Sequence, residues 1–200
     1  IQKAIENFKR VNNILPVNII VFREGISRGQ VETTKATEVQ TIKSVLDKFG
    51  ESRPNLLFVS TNKTSNAKFF FNSSGGADLN RLQNPLQGTY IHKLVTDNPN
   101  EFYLLAQKTF RGLASPTSFL IIENEFTDKV KIPQETVKDL IAKLAFKLCF
   151  LYYNTTGAIK VPAPIHYAQK LSYLVGDKSV GNERIIPHQT LGQQNSLYFI

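Results

Sequence analysis

The chain alternates short, almost continuously apolar runs with longer runs in which apolar residues recur at helical spacing. Residues 17–22, which follow Pro16, are mostly apolar and predict a strand that is buried on both faces. Residues 31–49 show helical spacing, and Gly50 is typical of a helix end. Residues 55–61 form the next apolar run. A strand, a helix and a strand in this order predict a crossover connection and parallel pairing.

The pattern is weaker at residues 62–88, because Asn, Ser, Gly and Lys dominate this segment. Three consecutive phenylalanines within residues 67–71 predict one strand inside a mobile polar excursion. Further apolar runs predict strands at residues 89–94, 101–107 and 118–122.

A long helix is predicted at residues 134–153, where the apolar positions share one face. Residues 154–160 then form a loop, and Pro162 and Pro164 mark the start of a second helix. A polar stretch follows and leads to a hydrophobic tail at residues 197–200. The whole pattern predicts an α/β fold in which helices flank a mixed sheet.

Length and charge limit the function classes. With 200 residues, of which 42% are hydrophobic, the chain can build one sizeable core, as a single domain or as part of a larger one. The formal net charge is +8, from 24 Lys and Arg against 16 Asp and Glu. This balance fits a surface that binds a polyanion such as nucleic acid, although a solvated basic surface without a partner has the same composition.

The only cysteine, Cys149, lies in the predicted long helix and has no second thiol with which to form a disulfide. The chain therefore suits a reducing intracellular compartment, where Cys149 acts as a small buried apolar residue. No apolar run approaches the roughly 20 residues that a membrane-spanning helix needs, so we expect no membrane partner.

A turn that contains Gly25 and Gly29 follows the first predicted strand. It places Glu24 at the carboxyl end of that strand, where open α/β sheets carry their chemistry. The glycines do not complete a nucleotide-binding fingerprint. The histidines show no ligand spacing, and the chain has no zinc pattern of Cys and His.

Two sequence blocks carry the strongest functional signal. Residues 160–176 read KVPAPIHYAQKLSYLVG, and residues 19–30 read IIVFREGISRGQ. Both resemble signature blocks of the Piwi domain in the Argonaute/Piwi family, and the particular residues in them favour the Piwi branch. Shorter matches lie in the family's order at residues 84–89, 101–103, 112–117 and 147–154.

The resemblance implies an RNase H-like fold, with residues 1–200 as the C-terminal part of a Piwi domain. The first strand of that domain and the MID and PAZ regions are expected upstream. The resemblance also implies a small guide RNA, a complementary target RNA and protein partners. It places the protein in the nucleus or the cytoplasm.

RNase H-type cleavage uses two divalent ions that are held by carboxylates, with a histidine allowed at one corner. By resemblance, Glu24 replaces an aspartate of slicing members and Gln169 replaces their last ligand, while the other two ligands are expected before Ile1. The extra methylene of Glu24 moves its carboxylate by about 1 Å, which can cost about 100-fold in rate. Gln169 offers only a neutral amide. We expect a site that no longer cuts; the alternative is an active guide-directed, Mg²⁺-dependent endoribonuclease.

Guide binding requires less strict geometry, because cations, amides and hydroxyls meet phosphates largely without reading bases. The resemblance implies guide contacts at Gln30, Tyr152, Asn154, Lys160, His166 and Tyr167, and contacts beside the duplex at Lys63 and Lys68. Packing on a helix face is the alternative for the tyrosines. A Piwi-like scaffold that holds proteins and little RNA is a third interpretation of the chain.

The hydrophobic tail resembles the end of the family, whose terminal carboxylate reaches the pocket for the guide's 5′ phosphate. In the Piwi branch this carboxylate helps to hold a divalent ion, so Ile200 is a candidate Mg²⁺ ligand. The Argonaute branch has an arginine where Leu174 stands here. The ion would therefore supply the positive charge that the phosphate needs.

Overall fold

The computed structural model describes residues 1–72, 82–93 and 98–178. Its strands are β1 (Asn18–Glu24), β2 (Asn55–Asn62), β3 (Phe71–Asn72), β4 (Leu82–Gln83), β5 (Thr89–Ile91), β6 (Glu101–Leu105) and β7 (Thr117–Asn124). Its α-helices are α1 (Gln2–Asn12), α2 (Val31–Thr34), α3 (Gln40–Leu46), α4 (Glu125–Val130), α5 (Gln134–Leu148) and α6 (Ala163–Lys178). The predicted hydrophobic tail with Ile200 lies outside the described residues, as does the end of the strand predicted at residues 89–94.

Within the described residues, the main sheet has five strands in the order β1-β2-β7-β6-β5. β1 and β2 pair in parallel, with Glu24 opposite Thr61. The other neighbouring strands pair antiparallel, and a bulge at Phe58 and Val59 shifts the register between β2 and β7. The mixed sheet confirms the predicted fold class, and the parallel pair confirms the predicted crossover.

The hydrophobic core lies on both faces of β2. Leu57 and Val59 pack in the cluster that α5 covers, whereas Leu56 and Phe58 pack in the cluster with α1 and α3. Successive residues of a strand point to opposite faces of the sheet, so an unbroken apolar run is what a strand covered on both faces requires. All residues from 56 to 61 are buried.

β1 differs from its prediction, because it is largely half-buried and not buried on both faces. It lies at one edge of the described sheet, where only β2 pairs with it. An edge strand has fewer neighbours on either face than a central one, which explains the lower burial.

The crossover after β1 is a succession of short helical pieces, where the pattern predicted one helix at residues 31–49. A π-helical turn at Lys35–Val39 separates α2 from α3. The hydroxyls of Thr37 and Thr41 each donate to the carbonyl four residues earlier, at 2.7 Å, and such bonds bend helices. Gly50, with a φ of 56°, breaks the helical path close to the predicted end.

The long helix α5 ends at Leu148, and not at residue 153 as predicted. The Cys149 carbonyl accepts a hydrogen bond from the Ile159 amide at 2.9 Å. In a continued helix that carbonyl would accept from the amide of residue 153. The Tyr153 amide instead donates to the Tyr167 hydroxyl at 3.0 Å, which turns the chain towards α6.

The sequence analysis made no prediction for α1 or α4. Ile5 is the only buried residue of α1, whereas the apolar side chains of Phe8 and Val11 on the same helix are exposed. α4 is short and begins where the Asn124 side chain accepts from the amides of Phe126 and Thr127. No helix formed by the described residues is long and apolar enough to cross a membrane.

Only the last residue of the phenylalanine run belongs to a strand. The strand predicted at residues 67–71 is reduced to β3, which pairs with β4 in a separate small sheet. Phe69 instead packs edge-on against Tyr103, with ring centroids 5.3 Å apart. The contact of this run with the main sheet is thus one aromatic pair, while Phe70 and Phe71 stay exposed.

Candidate functional site

β1 ends at Glu24, and the chain turns at Gly25. Gly25 has a φ of 81°, a conformation that glycine adopts without the steric cost of a side chain. Its amide donates to the Thr61 carbonyl at 3.1 Å and fastens the turn to the end of β2. Glu24 therefore lies at the carboxyl end of the parallel pair, as the sequence predicts.

Helix α6 brings Gln169 to the same place. Ala163 and Ile165 are buried and anchor the first turn of the helix in the protein. Gln169 and Glu24 then line one open cleft of about 410 Å³, together with Lys63 from the segment that follows β2. The two degenerate catalytic positions predicted from the sequence thus meet in space.

Both carboxylate oxygens of Glu24 are engaged by neighbouring side chains. The Lys63 ammonium lies 3.1 Å from Oε1 of Glu24, and the Nε2 amide of Gln169 donates to Oε2. Only 17% of the Glu24 side chain is exposed, which reduces the screening of its charge by water. We call these three residues, Glu24, Lys63 and Gln169, the carboxylate clamp.

The carboxylate clamp does not fit a divalent ion. Mg²⁺ requires oxygen ligands in near-octahedral geometry. Lys63 already neutralises Glu24, and Gln169 turns an N–H donor towards the carboxylate. In the part of the chain that the structure describes, no group of three or more His, Cys, Asp or Glu side chains could hold a metal ion.

His166 and Tyr152 lie beside the carboxylate clamp. The two rings meet edge to face, with centroids 4.4 Å apart and planes at 85°. Burial lowers the pKa of His166 below its ordinary value, and the positive charges of Lys170 and Lys63 lower this pKa further. These effects favour the neutral imidazole of His166.

Tyr167 fastens α6 to the turn that follows α5. Its hydroxyl donates to the Leu151 carbonyl at 3.1 Å and accepts from the Tyr153 amide at 3.0 Å. Its ring centroid lies 5.5 Å from that of Tyr152. In this structure the Tyr167 hydroxyl therefore makes contacts within the protein, in line with the packing role that the sequence left open. An RNA contact of Tyr167 stays a prediction.

The remaining predicted RNA contacts do not line the cleft of the carboxylate clamp. Asn154, Lys160 and Lys68 are exposed. The Lys160 carbonyl accepts from the Thr117 hydroxyl at 2.8 Å, so its backbone is fixed to β7. The side-chain oxygen of Gln30 accepts from the amide and the hydroxyl of Ser27, at 3.1 and 2.9 Å, and caps the glycine turn.

A larger open cleft, of about 690 Å³, lies next to the glycine turn and contains a buried carboxylate. Glu101 accepts from the Arg28 guanidinium at 2.9 Å and from the Ser118 hydroxyl at 2.8 Å. Burial and the negative charge of Glu101 raise the pKa of Tyr103 in the same cleft. Arg28 thus neutralises Glu101, while Glu32 adds a second carboxylate to the lining of this cleft.

The sequence analysis missed two cations near Lys160. Lys108 and Arg111 belong to the loop between β6 and β7, which joins Lys160 in lining a small open pocket of about 280 Å³. The signal available in the sequence was a phenylalanine between two basic residues, Lys108-Thr-Phe-Arg111, in a loop that contains a glycine.

Comparison with known proteins agrees with this architecture. The family model of the Piwi domain matches residues 1–179. A Piwi-like protein of Dugesia japonica is 32% identical over 203 residues, an alignment that covers 98% of this chain and 24% of that protein. The chain thus spans about a quarter of the length of this curated relative.

Solved structures show the same fold. The crystal structure of Drosophila Piwi has a TM-score of 0.71 and 30% identity, and the match covers 87% of this chain and 22% of that one. Kluyveromyces polysporus Argonaute, solved with a guide RNA, has a TM-score of 0.67 and 23% identity over 85% of this chain and 21% of its own. With its RNase H-like mixed sheet and a family match along most of its length, the chain belongs to the Piwi domain family of Argonaute and Piwi proteins.

Proposed function

We propose that the protein containing this chain binds a small guide RNA, pairs it with a complementary target RNA, and acts through recruited protein partners without cutting the target. Membership of the Piwi domain family supports the guide-binding part, and the related Kluyveromyces polysporus Argonaute was solved with a guide RNA. The net charge of +8 supports a polyanionic partner. The protein acts in the nucleus or the cytoplasm, where guides and transcripts occur.

The contacts within the carboxylate clamp are the main observation in support of a site that does not cut the target RNA. An ion that approaches Glu24 meets the ammonium of Lys63 at the same carboxylate, and like charges at this distance repel. Gln169 cannot compensate, because a neutral amide supplies no negative charge. Two of the positions that slicing relatives use for metal binding are therefore occupied by an internal ion pair and a hydrogen bond.

One observation favours the second candidate function, a guide-directed endoribonuclease. Glu24 still presents a carboxylate at the end of β1, and Gln169 still faces it from α6. Lys63 is 41% exposed, so its side chain has room to leave the cleft. Cleavage then requires that the ligands expected upstream recruit the ions despite the longer Glu24 side chain.

A cleavage assay separates the two candidates. The full-length protein, loaded with a guide, is incubated with a perfectly paired target in Mg²⁺ and, separately, in Mn²⁺, which tolerates looser geometry. We expect the target RNA to stay bound to the loaded protein and to remain uncut with either metal ion. Cleavage opposite the middle of the guide that disappears in Glu24→Ala would establish the endoribonuclease instead.

Metal binding gives a second readout that does not depend on turnover. Titration of the same complex with Mn²⁺, followed by electron paramagnetic resonance, should show no bound ion whose signal depends on Glu24. Lys63→Gln serves as the comparison, because it removes the internal cation and keeps the carboxylate. An ion that is bound by the unmodified protein and lost in Glu24→Ala would contradict the proposal that the carboxylate clamp excludes a metal ion.

A further inference from the structure

A pocket of about 420 Å³ lies between the edge strand β5 and helix α5. Tyr90 lines it from β5 and His92 from just beyond the strand, and their rings stack with centroids 4.6 Å apart. Residues that are two apart on a strand point to the same face of the sheet. Within the described sheet, β5 lies at the edge opposite to β1, so this pocket is separate from the carboxylate clamp. We call it the edge pocket.

Part of the lining of the edge pocket is apolar. Leu104 pairs with Tyr90 from the neighbouring strand β6, and Ala142 and Phe146 come from α5. Small residues leave the space open, since Ala142 carries only a methyl group. Gly88 lies so close to the Phe146 ring that a methyl group at residue 88 would approach it to 3.3 Å. Such a lining suits the aliphatic stem or the flat face of a ligand.

One carboxylate in the lining of the edge pocket has no counterion among the described residues. Asp139 is exposed and forms no ion pair with any of them, whereas Glu135, one turn earlier on α5, pairs with the buried Lys138 at 3.2 Å. Burial raises the pKa of Tyr90, and the two charges that raise it further, those of Asp139 and Glu135, are both negative. Lys143 also lines the pocket, one turn after Asp139. A carboxylate without a counterion beside an aromatic ring favours a ligand with a positive charge.

Arginine is the cationic side chain that fits this lining best. Its flat guanidinium donates two parallel hydrogen bonds to one carboxylate and stacks on aromatic rings, which the compact ammonium of lysine does not do. Its aliphatic stem packs on apolar surface. A free arginine also carries an α-ammonium, for which the described lining has no second carboxylate. An arginine within a peptide chain carries no such group, so a protein is the better source.

We propose that the edge pocket binds an arginine side chain of a partner protein, with the guanidinium donating to Asp139 and lying against the rings of Tyr90 and Phe146. This inference rests on the proposed function, because it specifies how a recruited protein is held. The position of the pocket at the far edge of the sheet leaves the carboxylate clamp free for RNA.

The edge pocket can be tested with a minimal ligand. N-acetyl-arginine amide is added to the full-length protein without guide RNA, because RNA would itself attract the cation. Saturation-transfer difference NMR then reports which ligand protons contact the protein. We expect transfer to the side-chain methylenes of arginine, with a dissociation constant of about 1 mM for a ligand of this size. N-acetyl-citrulline amide has a similar shape without the charge, and should bind about 10-fold more weakly.

Two substitutions in α5 test the charges of the edge pocket. Asp139→Asn should weaken binding of the arginine amide by about 10-fold, because it removes the negative charge and keeps the shape of the side chain. Lys143→Gln should strengthen binding by about 2-fold, because it removes a nearby like charge. Asp47→Asn is the matched control, since Asp47 is also exposed but lies in the 3₁₀ segment before β2, and it should change the affinity little. All three variants should bind guide RNA as the unmodified protein does.

Several outcomes would overturn the arginine assignment and leave guide binding untouched. Equal binding of the arginine amide to Asp139→Asn and to the unmodified protein would refute it, as would equal binding of the citrulline amide or no saturation transfer at all. Tighter binding of free arginine than of the amide, weakened by Lys143→Gln, would assign the edge pocket to a free amino acid and not to a partner protein. Failure of the unmodified protein to bind guide RNA would instead refute the proposed function itself.

Discussion

The ring of His166 meets the ring of Tyr152 edge to face, with 4.4 Å between centroids, directly beside the carboxylate clamp. Burial, Lys170 and Lys63 together lower the pKa of His166, whereas a hydrogen bond with Gln169 and the charge of Glu24 oppose this effect. A histidine whose pKa is lowered on folding favours the folded state above its ordinary pKa of about 6.5. That stabilisation is lost as the pH falls, because the unfolded chain then binds the proton more readily.

We predict that NMR titration of the free protein gives His166 a pKa below 6.5, and that guide binding raises it. A nearby phosphate favours the imidazolium form, so RNA and protons should bind together at this position. Lys170→Gln is the matched control, since removing this cation should raise the pKa of His166 in the free protein. A pKa of 6.5 or above in the free protein would contradict the burial argument.

Part of this site was predictable from the sequence, because position along an element fixes which end of the sheet a residue reaches. Glu24 follows an apolar run and precedes a glycine, so its place at the carboxyl end of β1 follows from local pattern alone. Its contact with Lys63 does not, since Lys63 lies in an irregular segment whose path depends on packing such as that of Phe69 on Tyr103. Local pattern thus located the site, whereas tertiary packing decided its electrostatics.

A second prediction concerns the ion pair that closes the start of β2. The Arg53 guanidinium donates to both oxygens of Glu125, at 2.7 and 2.9 Å, and the side chains are only 15% and 9% exposed. Glu125 also accepts from the Leu56 amide at 2.8 Å, and its hydrogen bond raises the pKa of Arg53 further above its usual range. Arg53→Met removes the bidentate cation from a buried carboxylate, which keeps the Leu56 amide and the Lys43 ammonium, 3.7 Å away. We therefore expect a loss of about 2 to 3 kcal/mol of stability.

Hydrogen exchange of the β2 amides measures this loss, because it reports the free energy of opening at the affected strand. Asp47→Asn is the matched control: Asp47 contacts the same guanidinium at 2.6 Å but is 64% exposed. An exposed ion pair contributes about 0–1 kcal/mol, so this variant should exchange almost as the unmodified protein does. Equal effects of the two variants would show that burial does not set the strength of this pair.

Cys149 and α5 show where the sequence succeeded and where it failed. The cysteine was predicted to be a buried apolar residue, and burial indeed raises the pKa of its thiol to about 12, which keeps it protonated. The predicted end of α5 was wrong. The apolar pattern continues past Leu148, but the Cys149 carbonyl accepts its hydrogen bond from the Ile159 amide. A competing donor from a later loop leaves no trace in the periodicity of the helix itself.

A third prediction concerns Lys63, which pairs with Glu24 and is also expected to contact an RNA phosphate. Glu24→Gln removes the competing carboxylate, so the variant should bind guide RNA more tightly and with a salt slope steeper by about 0.7. Glu6→Gln changes the net charge equally on the distant helix α1 and is the matched control. If both variants shift affinity by the same amount, the effect is one of net charge and not of Lys63.

The same argument covers the three lysines together. Replacing Lys63, Lys68 and Lys160 with alanine should flatten the salt dependence of guide or duplex binding by about 1.4 to 1.8 units in the log–log slope, the share of Lys68 and Lys160, because Glu24 holds Lys63 in the unmodified protein. The measurement is a series of binding isotherms at increasing salt concentration. An unchanged slope would show that none of these ammonium groups meets a phosphate.

The last prediction concerns Ile200, which lies beyond the described residues and is a candidate ligand only through the family resemblance. Its carboxylate is expected to help hold Mg²⁺ at the 5′ phosphate of the guide, since Leu174 supplies no positive charge. Adding a few residues after Ile200 displaces this carboxylate along the chain and keeps the apolar sequence of the tail unchanged. Affinity should then fall for 5′-phosphorylated guides and stay unchanged for 5′-hydroxyl guides, because only the phosphate needs the ion. Equal losses for both guides would show that the tail acts by apolar packing alone.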